Sequence, residues 1–302
     1  MMKKVCVSFA LLGWLWTVPA VAQDAGWINH FDGKPENYLL KRGDKTEPVK
    51  VFTVVQVGDE ISVKEKQPAI ELSLRGGTQQ VRVTEENSPF LVKQDSQVPA
   101  SLDKLWAWTK QRFSDWRKLV PTETLDASEQ NQCASIFMPL LDTLLDNVTG
   151  YPFLVAGKRP LHLQWYGGNS PYAVLIKQRR RKDYLLTQTS LTSAIETKAI
   201  TLKARKTYRV IVFDTKGESF KGGFKVVKPQ KFPEVPELED APLPDNIHRT
   251  LLAIWLAVQK NGRWTFEAYQ RVAPLTDYRP ALLLKKALGL TQEAQNCRGI
   301  RG

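Results

Sequence analysis

The sequence predicts a mainly β chain with helical segments: two β-rich stretches, an amphipathic helix between them, and a short C-terminal helical unit. Three observations carry this. Runs of alternating or β-branched residues, broken by Gly, Asp and Asn turns, recur from Tyr38 to Val92 and again from Phe153 to Val227. Apolar residues recur instead at three- and four-residue spacing from Ser101 to Val120 and beyond Asp245. Between Pro229 and Pro244, five prolines part the second β stretch from the last helices. The 302 residues, 42% hydrophobic and 25% charged, have an ordinary globular composition and allow roughly two domains, each able to bury a core.

Residues 1–22 read as a signal peptide. Lys3 and Lys4 precede an uncharged run from Val5 to Ala22 that contains Phe9, Leu11, Leu12, Trp14, Leu15 and Trp16, and Pro19 breaks any helix there. Ala20-Val21-Ala22 supplies the small-x-small pattern of a cleavage site, so cleavage is expected after Ala22, giving a periplasmic or secreted protein. No later run is long and apolar enough to span a bilayer, so no transmembrane segment is expected after cleavage. Cys6 leaves with the signal, and an oxidising compartment permits Cys133 and Cys297 to pair; two separate thiols fit the sequence equally well. The formal charge of +12 falls to +10 once Lys3 and Lys4 are removed. In an exported protein this field points away from nucleic acid and toward an envelope protein or an anionic envelope surface.

Residues 23–100 are expected to form a small β domain. Tyr38-Leu39-Leu40 runs into Arg42-Gly43-Asp44, Val49 to Val57 is β-branched, and Gly58-Asp59 turns into Ile61-Ser62-Val63. Ala69 to Leu74 alternates, Gly76-Gly77 turns, and Gln80 to Val83 alternates again. Lys41-Arg42-Gly43, followed about fifteen positions later by Val55-Gln56-Val57-Gly58-Asp59-Glu60-Ile61, resembles the FecR-type β domain of bacterial envelope proteins. The resemblance covers about a fifth of the chain, residues 38–92. It implies a compact β module of the kind found in envelope sensing and scaffolding proteins, and it implies no catalytic residues.

Residues 101–150 follow as a helix and connector. Leu102, Leu105, Trp106, Phe113, Trp116 and Val120 form one stripe, Lys104, Lys110, Gln111, Asp115 and Lys118 the other face, Ser101 stands as the N-cap, and Pro121 ends the helix. Trp106 and Trp116 are candidate binding residues, although such a stripe also fits docking on the protein's own core. Asp126 to Asn147 reads as either a short strand or a buried helix, with Pro139 against one long helix.

In residues 151–228, Leu161 to Trp165, Tyr172 to Lys177, Thr197 to Leu202, Thr207 to Phe213 and Gly223 to Val227 read as strands, with Asp214 to Gly217 as a hairpin turn. Strands of this length and spacing resemble an immunoglobulin-like or fibronectin III-like β-sandwich, without a Cys-Trp-Cys framework. Residues 229–245 read as a stiff proline-rich linker, and residues 246–302 as helices: one capped by Asp245 or Asn246, a second from Trp264 to Val272, and a third from Pro280 through Leu288.

Catalytic signatures are sparse. His30, His162 and His248 lie in different regions with no metal-ligand spacing, so no metal or cofactor is expected. No G-x-S-x-G elbow or phosphate loop occurs, and Gly76-Gly77 and Gly222-Gly223 read as turns. The concentrated feature is Lys177-Gln178-Arg179-Arg180-Arg181-Lys182, at the tip of a hairpin before Tyr184-Leu185-Leu186. Its cations can clamp phosphate or carboxylate groups, or simply guard a strand edge against aggregation. The expectation is therefore a non-enzymatic periplasmic binding or scaffold protein, with Lys177, Arg179, Arg180, Arg181 and Lys182 as leading binding residues. The competing expectation is an envelope-polymer hydrolase, which would need a cleft holding a perturbed carboxylate or histidine.

Overall fold

Asp24–Phe31, an eight-residue strand that periodicity does not announce, is the centre of the first β unit. The computed structural model describes residues 23–121, 135–141 and 150–289. The expected signal peptide, the pair Cys133 and Cys297, and most of the segment from Asp126 to Asn147 lie outside the described residues. Within them the chain is mainly β, with several sheets and a few helices.

The first unit contains β1 (Asp24–Phe31), β2 (Tyr38–Arg42), β3 (Lys45–Pro48), β4 (Val54–Gln56), β5 (Glu60–Val63), β6 (Ile70–Leu74), β7 (Gln79–Val83) and β8 (Phe90–Leu91). They form two antiparallel sheets, ordered β4-β1-β6-β7 and β3-β2-β5-β8. β1 lacks alternation because both of its faces are covered: Ala25, Trp27, Ile28 and Asn29 are all buried. Its pairing with β6 shifts register between Ile28 and His30, which makes Asn29 a bulge.

α1 (Asp103–Leu119) lies against this unit. Its stripe faces inward: Trp106 stacks on Trp27 at 5.8 Å, Phe113 stacks on Phe52 at 4.8 Å, and Trp116 meets Phe52 edge-on at 4.9 Å. Trp106 and Trp116 are 6% and 1% exposed, which corrects their candidacy as binding residues: this stripe stabilises the core. Ser101 is not the N-cap either. It sits in a 3-10 turn (Ala100–Leu102) that leads into the helix, and the N-cap position falls on Leu102.

The second unit contains β9 (Phe153–Val155), β10 (Gly157–Arg159), β11 (His162–Gln164), β12 (Tyr172–Gln178), β13 (Leu186–Ser190), β14 (Ala194–Glu196), β15 (Ile200–Leu202), β16 (Thr207–Phe213) and β17 (Ser219–Val227). A five-stranded sheet runs β13-β12-β16-β17-β9, with β9 parallel to β17, beside the two-stranded pairs β10-β15 and β11-β14. Val174, Ile176, Val210, Val212, Phe224 and Val226 from the large sheet share one core with Leu161, Leu163, Trp165 and Leu202 from the pairs and the segment between β10 and β12.

The C-terminal helices do not form a separate unit beyond a stiff linker. α2 (Pro236–Glu239), α3 (Asp245–Val258), α4 (Thr265–Val272) and α5 (Arg279–Gly289) contribute to the same core as β1 and α1. The proline segment is held down by the apolar residues between its prolines: Leu238 is buried, Phe232 packs edge-on against Trp264 at 5.6 Å, and Leu243 lies on the core. Pro244, not Asp245 or Asn246, occupies the N-cap position of α3. On α5, the Tyr278 hydroxyl just before its first turn donates to Asn29 Oδ1 at 2.5 Å, so the β1 bulge aims an acceptor at the last helix.

Candidate functional site

The basic run sits where two strands leave the sheet together. β12 and β13 pair from Tyr172↔Ser190 to Ile176↔Leu186, and the chain between those ends forms the tip. Its base is closed by Leu185 N donating to Ile176 O at 2.8 Å and Arg181 N donating to Gln178 O at 2.9 Å. Arg179 N donates to Thr207 O at 2.9 Å, which extends the β12-β16 ladder into the tip. The tip is therefore anchored on a central strand.

Arg179, Arg180, Arg181 and Lys182 are all exposed. Lys177 lies over the Tyr184 ring at 5.3 Å, and Arg179 over the Tyr151 ring at 5.9 Å. None of these five cations is in an ion pair among the described residues. The sheet adds to the field: Arg209 is the register partner of Lys177, and Lys203, Arg205 and Lys206 are exposed on the loop that enters β16. Tyr184 and Leu185, 48% and 49% exposed, follow the cations directly. The sequence-predicted site residues Lys177, Arg179, Arg180, Arg181 and Lys182 thus share one end of one unit, while Trp106 and Trp116 lie in the other unit's core.

The histidines do not converge. His30 faces Asp32 at 3.6 Å beside the Tyr278 ring; a ring nitrogen of His248 meets Leu238 O at 3.3 Å; His162 lies where the second unit meets α4. A cleft of about 670 Å3 runs beside the proline segment, lined by Phe232, Val235, Leu238, His248 and Leu252 among others. Among the described residues no three His, Cys, Asp or Glu side chains group as a metal site, and no helix is long and apolar enough to cross a membrane.

What sequence reasoning missed is the polar seam joining the two β units. Glu267 on α4, fully buried, accepts from Val155 N at 3.1 Å and pairs with Arg159 at 3.2 Å and Arg271 at 3.1 Å. One turn on, Gln270 treats β11 as a neighbouring strand: its Oε1 accepts from His162 N at 2.9 Å and its Nε2 donates to His162 O at 2.7 Å. Phe266 enters the second core while Trp264 and Tyr269 belong to the first, so α4 is wedged between both. The available signal was Glu267, Gln270 and Arg271 at helical spacing in an otherwise apolar helix.

Comparison of the chain with protein-family models, curated proteins and solved structures gives no match.

Proposed function

We propose that this chain is an exported, periplasmic, non-enzymatic binding or scaffold protein that engages an envelope protein or anionic envelope component through the cationic end of its second β unit. In this reading the first unit is a FecR-like module and the second an immunoglobulin-like sandwich, with the helices as a spine that holds the two in fixed relation. The observation that carries it is the β12-β13 tip, where Arg179, Arg180, Arg181 and Lys182 stand exposed without an ion-pair partner among the described residues, on a strand rooted in the sheet. Guanidinium forks so placed suit phosphate and carboxylate groups. The Arg42–Asp59 bridge supports the FecR-like reading, because it joins the two turns on which that resemblance rests.

The test is co-sedimentation of the chain from Gln23 onward with an isolated envelope fraction, at low and moderate salt, beside an Arg179→Ser/Arg180→Ser/Arg181→Ser variant. Association that weakens with salt and is lost in the variant is expected. Association that is indifferent to both would remove the tip as the site, and no association at all would end the binding reading.

A further inference from the structure

We infer that the β12-β13 tip docks on the surface of an anionic phospholipid bilayer, with its arginines at the headgroup phosphates and Tyr184 and Leu185 at the boundary between headgroups and acyl chains. The inference rests on the binding reading above and names its partner. Three features of the tip favour a lipid surface over a protein or polymer. First, Arg179, Arg180, Arg181 and Lys182 are all exposed on the turn between two paired strands, so they can meet a planar array of phosphates together, whereas a polymer strand is better held in a groove. Second, Tyr184 and Leu185 are each about half exposed although they immediately precede Leu186, which is buried in the sheet core. A tip that only needed solubility would carry no such pair, and an amphipathic tyrosine beside cations is the composition of a membrane interface. Third, Asp183 is the only acid between Lys177 and Leu186, so the approach to an anionic surface meets little repulsion.

The expected attachment is peripheral and reversible, since a few cations and two apolar side chains fall short of a stable anchor. Each cation brought to an anionic surface contributes about fivefold in affinity, so losing three should weaken binding by about a hundredfold.

The experiment is sedimentation of the chain from Gln23 onward with protein-free vesicles, either phosphatidylcholine alone or phosphatidylcholine mixed with phosphatidylglycerol, over a range of salt. Binding to the mixed vesicles alone is expected, falling about a hundredfold in Arg179→Ser/Arg180→Ser/Arg181→Ser. In Tyr184→Ser/Leu185→Ser it should weaken at every salt concentration with an unchanged salt dependence. Both variants alter exposed residues, and an unchanged thermal midpoint verifies that they fold. Equal binding to neutral vesicles, or undiminished binding of either variant, overturns the inference. Arginine-dependent capture by the envelope fraction without binding to vesicles overturns the lipid assignment and leaves the broader reading standing with a protein or polymer partner. Binding to neither removes both.

Discussion

Arg42 and Asp59 lie 17 residues apart and meet side by side. Arg42 Nε donates to Asp59 Oδ1 at 2.8 Å and Nη2 to Oδ2 at 2.6 Å, while Nη2 also reaches Val54 O at 2.8 Å on the other sheet. Asp59 is 1% exposed and accepts from Gln56 N at 2.8 Å as well, so one carboxylate organises the turn before β5 and one guanidinium links the two sheets of the first unit. The bidentate pair also holds the Arg42 guanidinium above its ordinary range, the bond from Asp59 outweighing burial. Replacing Arg42 by Ala leaves a buried carboxylate short of two donors, and a loss of about 2 to 3 kcal/mol is expected in urea unfolding. A loss below about 0.5 kcal/mol would mean that the pair is solvated in practice. Gly77, nearby, is constrained by both conformation and space: its φ is +101°, and a Cβ there would lie 2.3 Å from Trp27 and 2.6 Å from Leu243. The Gly-Gly turn is thus shaped by the tryptophan under it and by the proline segment laid across it.

At the scale of elements, α4 is the coupling device. It presents Phe266 to one core, Trp264 and Tyr269 to the other, and Glu267 and Gln270 to the seam between them. The seam carries a pH signature through His162, whose ionisation burial pushes below the usual imidazole range, the Glu196 carboxylate opposing and Lys285, Arg159 and Arg249 reinforcing the shift. The unfolded chain takes up a proton near pH 6.5, whereas the native His162 resists until lower pH, so the unfolded state binds more protons across that interval. Stability therefore falls as pH drops from 6.5 toward the native pKa. A His162→Gln variant should lose that part of the slope, because Gln270 holds only the backbone of residue 162. Urea midpoints of the two proteins at pH 7.5 and 5.5 measure it, and parallel declines would show that His162 titrates alike in both states.

At the scale of the whole molecule, the last helices complete the first domain. β1 near the start and α5 near the end are joined by Tyr278 and Asn29, and the first core runs from Ala25 to Leu288. A chain ending at Val227 would lose the helices that pack on β1 and on α1, and would expose the apolar residues of β1 and α1 that meet α2, α3 and α5, a surface of the kind that drives association. Such a truncation should be insoluble or lack a cooperative unfolding transition, whereas the chain from Gln23 onward should unfold in one. A soluble truncation with a sharp transition from its first unit would show that the helices merely decorate it.

Most turns, most strands of both β units, the stripe of α1 and the cationic tip were legible in the sequence because each rests on local chemistry: side-chain period, turn residues and a run of like charge. Gly222-Gly223, expected as a turn, instead lies inside β17, paired with Val210 and Arg209. β1 was not, since a strand covered on both faces has no alternation to read. Nor was the seam, because Glu267 and Arg159 lie 108 residues apart and no local pattern brings them together. The sequence by itself determined that the chain is mainly β, strongly basic, and carries five cations in one hairpin. Only the tertiary structure decided that the tryptophan stripe turns inward, that the proline segment is a strap, and that those cations stand free of ion pairs among the described residues. The reason is physical: composition and period act over a few residues, whereas burial and partnership depend on what distant segments bring to the same place.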